Sequence, residues 1–551
     1  MKGIKLDPNI KLRVLTGDQI QAIHEATLKI LEITGVRFDS EDARKRLLRA
    51  GCISHPKRKR VVTFPRTIVE NAVSKVTHRN IYYGRDRKSD IEYDGEHMFP
   101  YSGGGDPKMI DLDTGSVRPS TYEDVETAVR LGESLENSYY ASSLVMANDV
   151  PPGMVVLKTF EASLKNSIKP ISQYAPNKAN LDFLLRMAAC VAGGLEELRK
   201  RPLLSVSGSP SSPLTYGENN CEVLLMSVEN GIPFQPVPCP ICGETGPMSI
   251  GGAIAQQNAE ILSGLVLIQT VTTELATLYS GRVCFMDPRT GRDLWGTPEE
   301  ALVSASLVQM ARRYGMVSDT NGMSSDITRW DMQMGLECMM TGLVPALAGA
   351  ESISGIGGGW EGASSLEMMV IGNEVFNDIS RFLNGFDVDE GTMGIDLIDK
   401  VGQMGSFLAE RHTMDNLHKG EIRVSSLWDK RTASSARKEG FKSLQESARE
   451  RVKSILRELN LDEQIYKPGE VFGRISSAKN NLITAQAYHN NQQILEHDRA
   501  VRRERIGDIY RIYASRCKKA NAMDFDDLLL NTNILFRDFP EVLLIFKLGL
   551  S

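Results

Sequence analysis

At 551 residues the chain can bury a large core and carry two to four domains, while a formal net charge of −6, with acids and bases interspersed, removes any global electrostatic case for nucleic acid or an anionic membrane. Eight scattered cysteines, several in apolar helical contexts, exclude a disulfide framework and point to reduced thiols. No apolar run reaches the roughly 18 residues of a membrane span, and the start has no signal-like apolar core, so a soluble cytoplasmic protein is expected. In chain order, residues 1–135 read as a mixed N-terminal cap. Residues 18–34 place Ile20, Ile23, Thr27, Ile30 and Leu31 on one helical face and stop at Gly35, a C-cap signal. Helices are expected at 41–50 and 64–76, strands at 80–84 and 98–105, a hairpin turn over 111–119 and a helix over 122–134.

From about residue 139 to 405 one pattern recurs eight times: a short apolar run, a Gly-rich or polar elbow, then a helix-length amphipathic stretch. The runs are 139–146, 170–174, 203–206, 232–237, 275–285, 316–320, 352–356 and 386–388. Helices are expected near 154–166, 180–192, 219–228, 252–272, 298–314, 328–347, 364–383 and 392–401. Strands alternating with helices imply parallel pairing, and eight units close a barrel. The expected class is therefore α/β, a (β/α)8 TIM barrel over 136–454. An open doubly wound sheet stays open as an alternative because the eighth run is short. Near residue 455 the small-residue elbows vanish, leaving a helical C-terminal tail over 455–551.

A barrel places its chemistry in the loops after its strands. The polar residues there include Gln173 and Tyr174, Gln235, Cys239 and Cys242, Asp287, Arg292 and Trp295, Asp319, Asn321, Ser324 and Asp326, Trp360 in the 357–361 segment, and His412 beyond the last helix. The set is rich in amide, hydroxyl and aromatic groups and poor in histidine. A catalytic zinc needs three ligands, and the lone C-x-x-C at Cys239 has no second pair, so no metal is expected. The glycines of 355–359 suit a backbone that a ligand approaches closely. No nucleophile elbow or Ser–His–Asp ordering occurs. The mouth is equipped to hold a ligand rather than attack it.

Six stretches in order carry a family resemblance: GGDPKMIDLDTGSVRPSTYEDV at 104–125, SGSPSSPLTY at 207–216, and longer ones at 246–269, 287–302, 321–358 and 373–414. Over residues 10–453 the chain resembles the trimethylamine methyltransferase family, in its branch without pyrrolysine. The resemblance implies a barrel that passes a methyl group from an amine to the cobalt of a corrinoid (cobalamin) on a cognate partner protein, with no tightly bound cofactor. A tertiary amine is a poor leaving group, a difficulty for which pyrrolysine is the proposed remedy, and this chain has only standard residues in these loops. A quaternary ammonium already carries the leaving-group charge and needs only desolvation and orientation. Glycine betaine is therefore the expected donor. Tyr101, Tyr174, Trp295 and Trp360 are the candidate cation–π residues, and Gln173, Asn321, Gly357 and His412 complete the candidate substrate set. Arg292 or Arg312, with amides near Gly357, would hold a carboxylate. Trimethylamine or another methylamine as donor, and a non-catalytic betaine-binding protein, remain open. The chain is expected to act as a homo-oligomer.

The tail carries a second resemblance. LNLDEQIYKPGEVFGRISSAKNNLI and ANAMDFDDLLLNTNILFRDFPEVL, within 459–540, resemble the accessory helical region of superfamily 1 DNA helicases of the Rep and PcrA type. No G-x-x-x-x-G-K-[ST] phosphate loop occurs in the chain, and the tail lacks a basic footprint. A non-functional appendage with no nucleic-acid partner is expected.

Overall fold

A computed structural model describes the chain except for residues 8–10, 77–79, 328–329, 359–361, 426, 459–473, 480, 501–505, 520–529 and 531–551. It divides into two compact units, Met1–Met393 with Arg423–Lys453, and Gly394–Ile422 with Ser454–Ser551. The first is mixed α/β. Helix α1 (Gly17–Lys29) starts at a capping box, in which Thr16 and Gln19 exchange side-chain and backbone hydrogen bonds, and runs into a π-helical turn, Ile30–Thr34. It ends where Gly35 takes φ +70°. A second capping box, Thr121 with Asp124, starts α2 (Tyr122–Ser134).

Seven strands carry the main parallel pairing: β1 (His97–Ser102), β2 (Ile171–Tyr174), β3 (Leu204–Gly208), β4 (Phe234–Pro236), β5 (Tyr279–Ser280), β6 (Ser318–Asn321) and β7 (Ser352–Ile356). They form two parallel arcs, β2–β3–β4 and β1–β7–β6–β5. Registers Ser280↔Asp319, Asn321↔Ser354 and Ser354↔Tyr101 put these side chains on one face. Residues 139–141 lie between the arcs: Tyr139 N–H donates to Pro100 O at 2.9 Å, and Ala141 N–H to Pro170 O at 2.9 Å. Helices α3 (Val155–Asn166), α4 (Lys178–Ala192), α5 (Glu218–Glu229), α6 (Ile250–Gln269), α7 (Pro298–Arg313), α8 (Met332–Ala348) and α9 (Leu366–Leu383) alternate with the strands.

Four expectations change. Residues 139–146 form no continuous strand; besides the backbone contacts above they make a parallel bridge, Asp106↔Val145, with Met146 N–H donating to Asp106 O at 2.9 Å. The run at 275–285 breaks into two short strands, because Gly281 is pressed against Gln257 and Arg282 turns inward. Residues 386–388 are not a strand; Phe386 is 75% exposed and Val388 71%, so the segment has no face to bury. On the edge away from β6, β7 pairs in parallel with β1, which the sequence reading placed in the cap.

The main core joins α1, the Val36–Phe38 strand and α6, with Leu28, Phe38, Phe64 and Leu262 fully buried. Each such side chain contributes about 1.5–3 kcal/mol. Helix α6 is buried nearly all round, and two of its polar residues are well partnered: Asn258 donates to Thr27 and Tyr314, and Glu260 accepts from Ser212, Leu214 N–H and Gln256, whereas the buried Gln257 amide has no hydrogen-bond partner among the described residues. Residues 423–453 return to the first unit. Arg423 pairs with Glu374 and Asp378, the Trp428 indole donates to Asp378, and Arg449 reaches the buried Glu367.

The second unit is helical, with Ile395–Val401, Arg411–His418, Ala485–Asn490, Gln492–Ala500 and Ile506–Lys519. Ile475, Tyr488, Ile506 and Tyr510 form a small core, and the buried Asp498 accepts from Tyr488 at 2.8 Å and pairs with Arg474. No helix among the described residues is long and apolar enough to cross a membrane.

Candidate functional site

The C-terminal ends of β1–β4, β6 and β7, with the loops that follow them and the segment after β5, surround a cavity of about 1040 Å³. Its floor is a hydrogen-bonded network that crosses both arcs. Asp319 on β6 accepts from the Tyr101 hydroxyl of β1 at 3.1 Å and from Ser280 of β5 at 2.9 Å. Ser280 also lies 3.2 Å from Gln235 Oε1 on β4, whose amide reaches Ser172 of β2 and Ser205 of β3. Arg282 ties the pieces together: its Nη2 is 2.9 Å from Asp319 Oδ2, 3.1 Å from Ser354 Oγ and 3.3 Å from the Tyr101 hydroxyl.

Burial works against the Arg282 charge, but the adjacent Asp319 and Tyr101 more than offset it and raise its pKa. Burial also raises the Tyr101 phenol, which stays a neutral donor. Four aspartates (Asp106, Asp293, Asp319, Asp326) face two arginines (Arg282, Arg292) around the cavity, so its lining favours a cation. Behind it, burial pushes the Glu300 carboxyl up to about 8; Ser304 donates to one of its oxygens at 2.9 Å. Gly355, at the end of β7, has φ +129°, and a Cβ there would overlap the Gly322 carbonyl oxygen, so only glycine lets the two strand ends approach so closely.

Of the candidate residues, Tyr101, Gln173, Tyr174, Trp295 and Asn321 line this one cavity. The Trp295 indole donates to Asp293 at 2.8 Å, and Asn321 donates to Ser324 at 2.7 Å. Gly357 packs against Met369 and Leu144, while Gly355 and Gly358 on either side line the cavity. Trp360 lies outside the described residues. His412 belongs to the second unit, on the Arg411–His418 helix. Arg292 lines the cavity; Arg312 instead donates to the Ala348 and Gly349 carbonyls that end α8. Cys242 is buried, its thiol raised to about 11 by burial, and a hydrogen bond from Cys284 lowers Cys239. No group of three His, Cys, Asp or Glu side chains among the described residues is arranged to hold a metal.

Arg282 was missed by the sequence reading. Its signal was available: it is the sole charged residue in the apolar run at 275–285. A charge there must be paired or costs far more than the run gains.

Residues 5–466 match the family described as trimethylamine methyltransferase (MTTB). The chain belongs to this family. A glycine betaine methyltransferase of Desulfitobacterium hafniense (strain Y51) is 31% identical over 423 residues, 76% of this chain and 87% of that protein. A trimethylamine methyltransferase of Desulfitobacterium hafniense (strain DSM 10664 / DCB-2) is 29% identical over 412 residues, 75% of this chain and 83% of that protein. Another, from Methanosarcina barkeri, is 31% identical over 416 residues, 73% and 83% of the two chains. A solved hydroxylamine complex of MtmB aligns with a TM-score of 0.47 at 12% identity, covering 83% of this chain and 90% of that one. Within this methyltransferase-family chain, residues 408–547 also match the UvrD/REP helicase N-terminal domain, in line with the resemblance read in the tail.

Proposed function

We propose that the chain takes a methyl group from a quaternary amine, glycine betaine first among them, and passes it to the cobalt of a corrinoid on a separate protein. The observation that carries the reading is the cavity floor and wall, where acids outnumber bases and Tyr101, Tyr174 and Trp295 present ring surface. A desolvated trimethylammonium group is held by such a lining through charge and cation–π attraction. Arg292, at the same wall as Trp295, is the residue for the betaine carboxylate. We further propose that the two parallel arcs and residues 139–141 close an eight-membered (β/α)8 barrel, with β1 between residues 139–141 and β7.

The acceptor corrinoid supplies a strongly nucleophilic cobalt. A cavity at the upper end of the size range for small-molecule sites exceeds what a small quaternary amine fills, and so leaves room for that acceptor to approach a methyl carbon. The chain's own residues desolvate the cation and turn one methyl toward the open side. As the carbon–nitrogen bond breaks, its electron pair stays on nitrogen and the positive charge disappears. The product's amine is then uncharged while its carboxylate remains, so the acidic lining holds it less tightly than the substrate, which favours release before the amine takes a proton from solvent.

Anaerobic mixing with glycine betaine and a cob(I)alamin-loaded corrinoid protein is expected to shift the cobalamin's visible spectrum and release dimethylglycine. Faster demethylation of trimethylamine than of glycine betaine overturns the substrate assignment. Calorimetric betaine binding with no spectral change in any partner overturns catalysis and leaves a binding protein.

A further inference from the structure

Trp295 is held at both ends. Its indole donates to Asp293, as above, while its backbone is gripped from the loop after β6. Asp326 Oδ1 accepts from Trp295 N–H at 2.6 Å, and Asp326 Oδ2 accepts from Gly296 N–H at 2.9 Å. Two consecutive backbone donors thus occupy both oxygens of one carboxylate, a charge-assisted arrangement that fixes direction as well as distance. Asp326 is in turn seated by Glu337 of α8, whose Oε2 accepts from Asp326 N–H at 2.9 Å and from Ser325 Oγ at 2.7 Å. Gln333 holds the other Glu337 oxygen at 2.7 Å. The approach is close enough to need a glycine: a Cβ on Gly296 would lie 2.6 Å from Glu337 Oε2 and 3.1 Å from Ser325 Cα. The segment carrying Trp295 is therefore strapped, through its main chain, to the next strand's loop.

We propose that Asp326 is a positioning residue for substrate specificity, acting through Trp295. It fixes the indole as a rigid wall of the cavity, at the height where a trimethylammonium group packs. The inference rests on the quaternary-amine reading of the site. A ring that is already in place loses no conformational freedom on binding, so its attraction for the cation goes into affinity. Without the carboxylate, the N–H groups of Trp295 and Gly296 lose their acceptors and the wall loosens. Burial raises the Asp326 carboxyl, consistent with a group held in the protein rather than in solvent.

The test is a double-mutant cycle on the full-length chain, with glycine betaine affinity read by calorimetry. Asp326→Ala and Trp295→Ala are each expected to weaken binding about tenfold, and the double variant little more than either alone. Asp326→Asn, which keeps one acceptor oxygen, is expected to lie between wild type and Asp326→Ala. Losses that multiply in the double variant show that Asp326 acts independently of Trp295 and overturn the proposal. So does unchanged affinity in a folded Asp326→Ala protein. Should wild type bind no glycine betaine, the quaternary-amine reading fails, and the strap is still decided by fluorescence. Acrylamide quenching, taken as the difference between each protein and its Trp295→Phe counterpart, is expected to rise for Asp326→Ala and Asp326→Asn. Equal quenching in wild type and both variants overturns the strap itself.

Discussion

Glu300 is 1% exposed, and burial holds its proton to about pH 8. The folded state therefore binds a proton between about pH 5 and 8 that the unfolded chain has released, and this group's contribution to stability falls as pH rises through that window. Glu300→Gln keeps an acceptor for Ser304 and does not titrate. Its stability relative to wild type is expected to climb by up to about 1.4 kcal/mol per pH unit from about pH 5.5 to about pH 7.5, read from urea melts. A gap that stays flat with pH shows that Glu300 is ionised in the fold. Residues of this kind were unequally legible. Asp319, Asn321 and Gln235 stood out because each follows or interrupts an apolar run. Arg282 was hidden because a single long strand was read through it, and the Asp326 strap because a main-chain contact leaves no trace in side-chain type.

At the scale of elements, legibility followed local chemistry. The expected helix at 122–134 matches the observed bounds, where a capping box fixes its start, and the strand at 352–356 matches because its apolar run is cleanly bounded. The failures were long-range. Nothing local in residues 97–102 says that they lie beside β7, some 250 residues later, and nothing local denies that role to 386–388. The close approach of the β6 and β7 ends depends on Gly355, whose φ of +129° and contact with Gly322 leave no room for a side chain. Gly355→Ala is expected to cost about 3 kcal/mol through strain and a displaced strand end. A urea midpoint equal to wild type would show that the strand ends can part freely.

For the whole molecule, the two family matches overlap at residues 408–466, while the compact units interleave. The first unit contains its own return segment, Arg423–Lys453, anchored by Arg423, Trp428 and Arg449. We propose that the helicase-like tail is dispensable: truncation after Ser454 is expected to leave glycine betaine affinity within a few-fold of wild type by calorimetry. Loss of folding or a collapse in affinity makes the tail part of the working protein.

The return of 423–453 gives residues 394–422 a particular status. Both ends of that stretch join the first unit, so residues inserted at either junction lengthen a closed excursion and not a dangling end. The entropy of closing a flexible loop grows only logarithmically, about 0.6 kcal/mol for each doubling of length. Added residues in this excursion thus weigh little on the first unit, whereas the ion pairs of the returning segment leave it no such slack. The chain can lengthen at the excursion far more readily than at the place where it comes back.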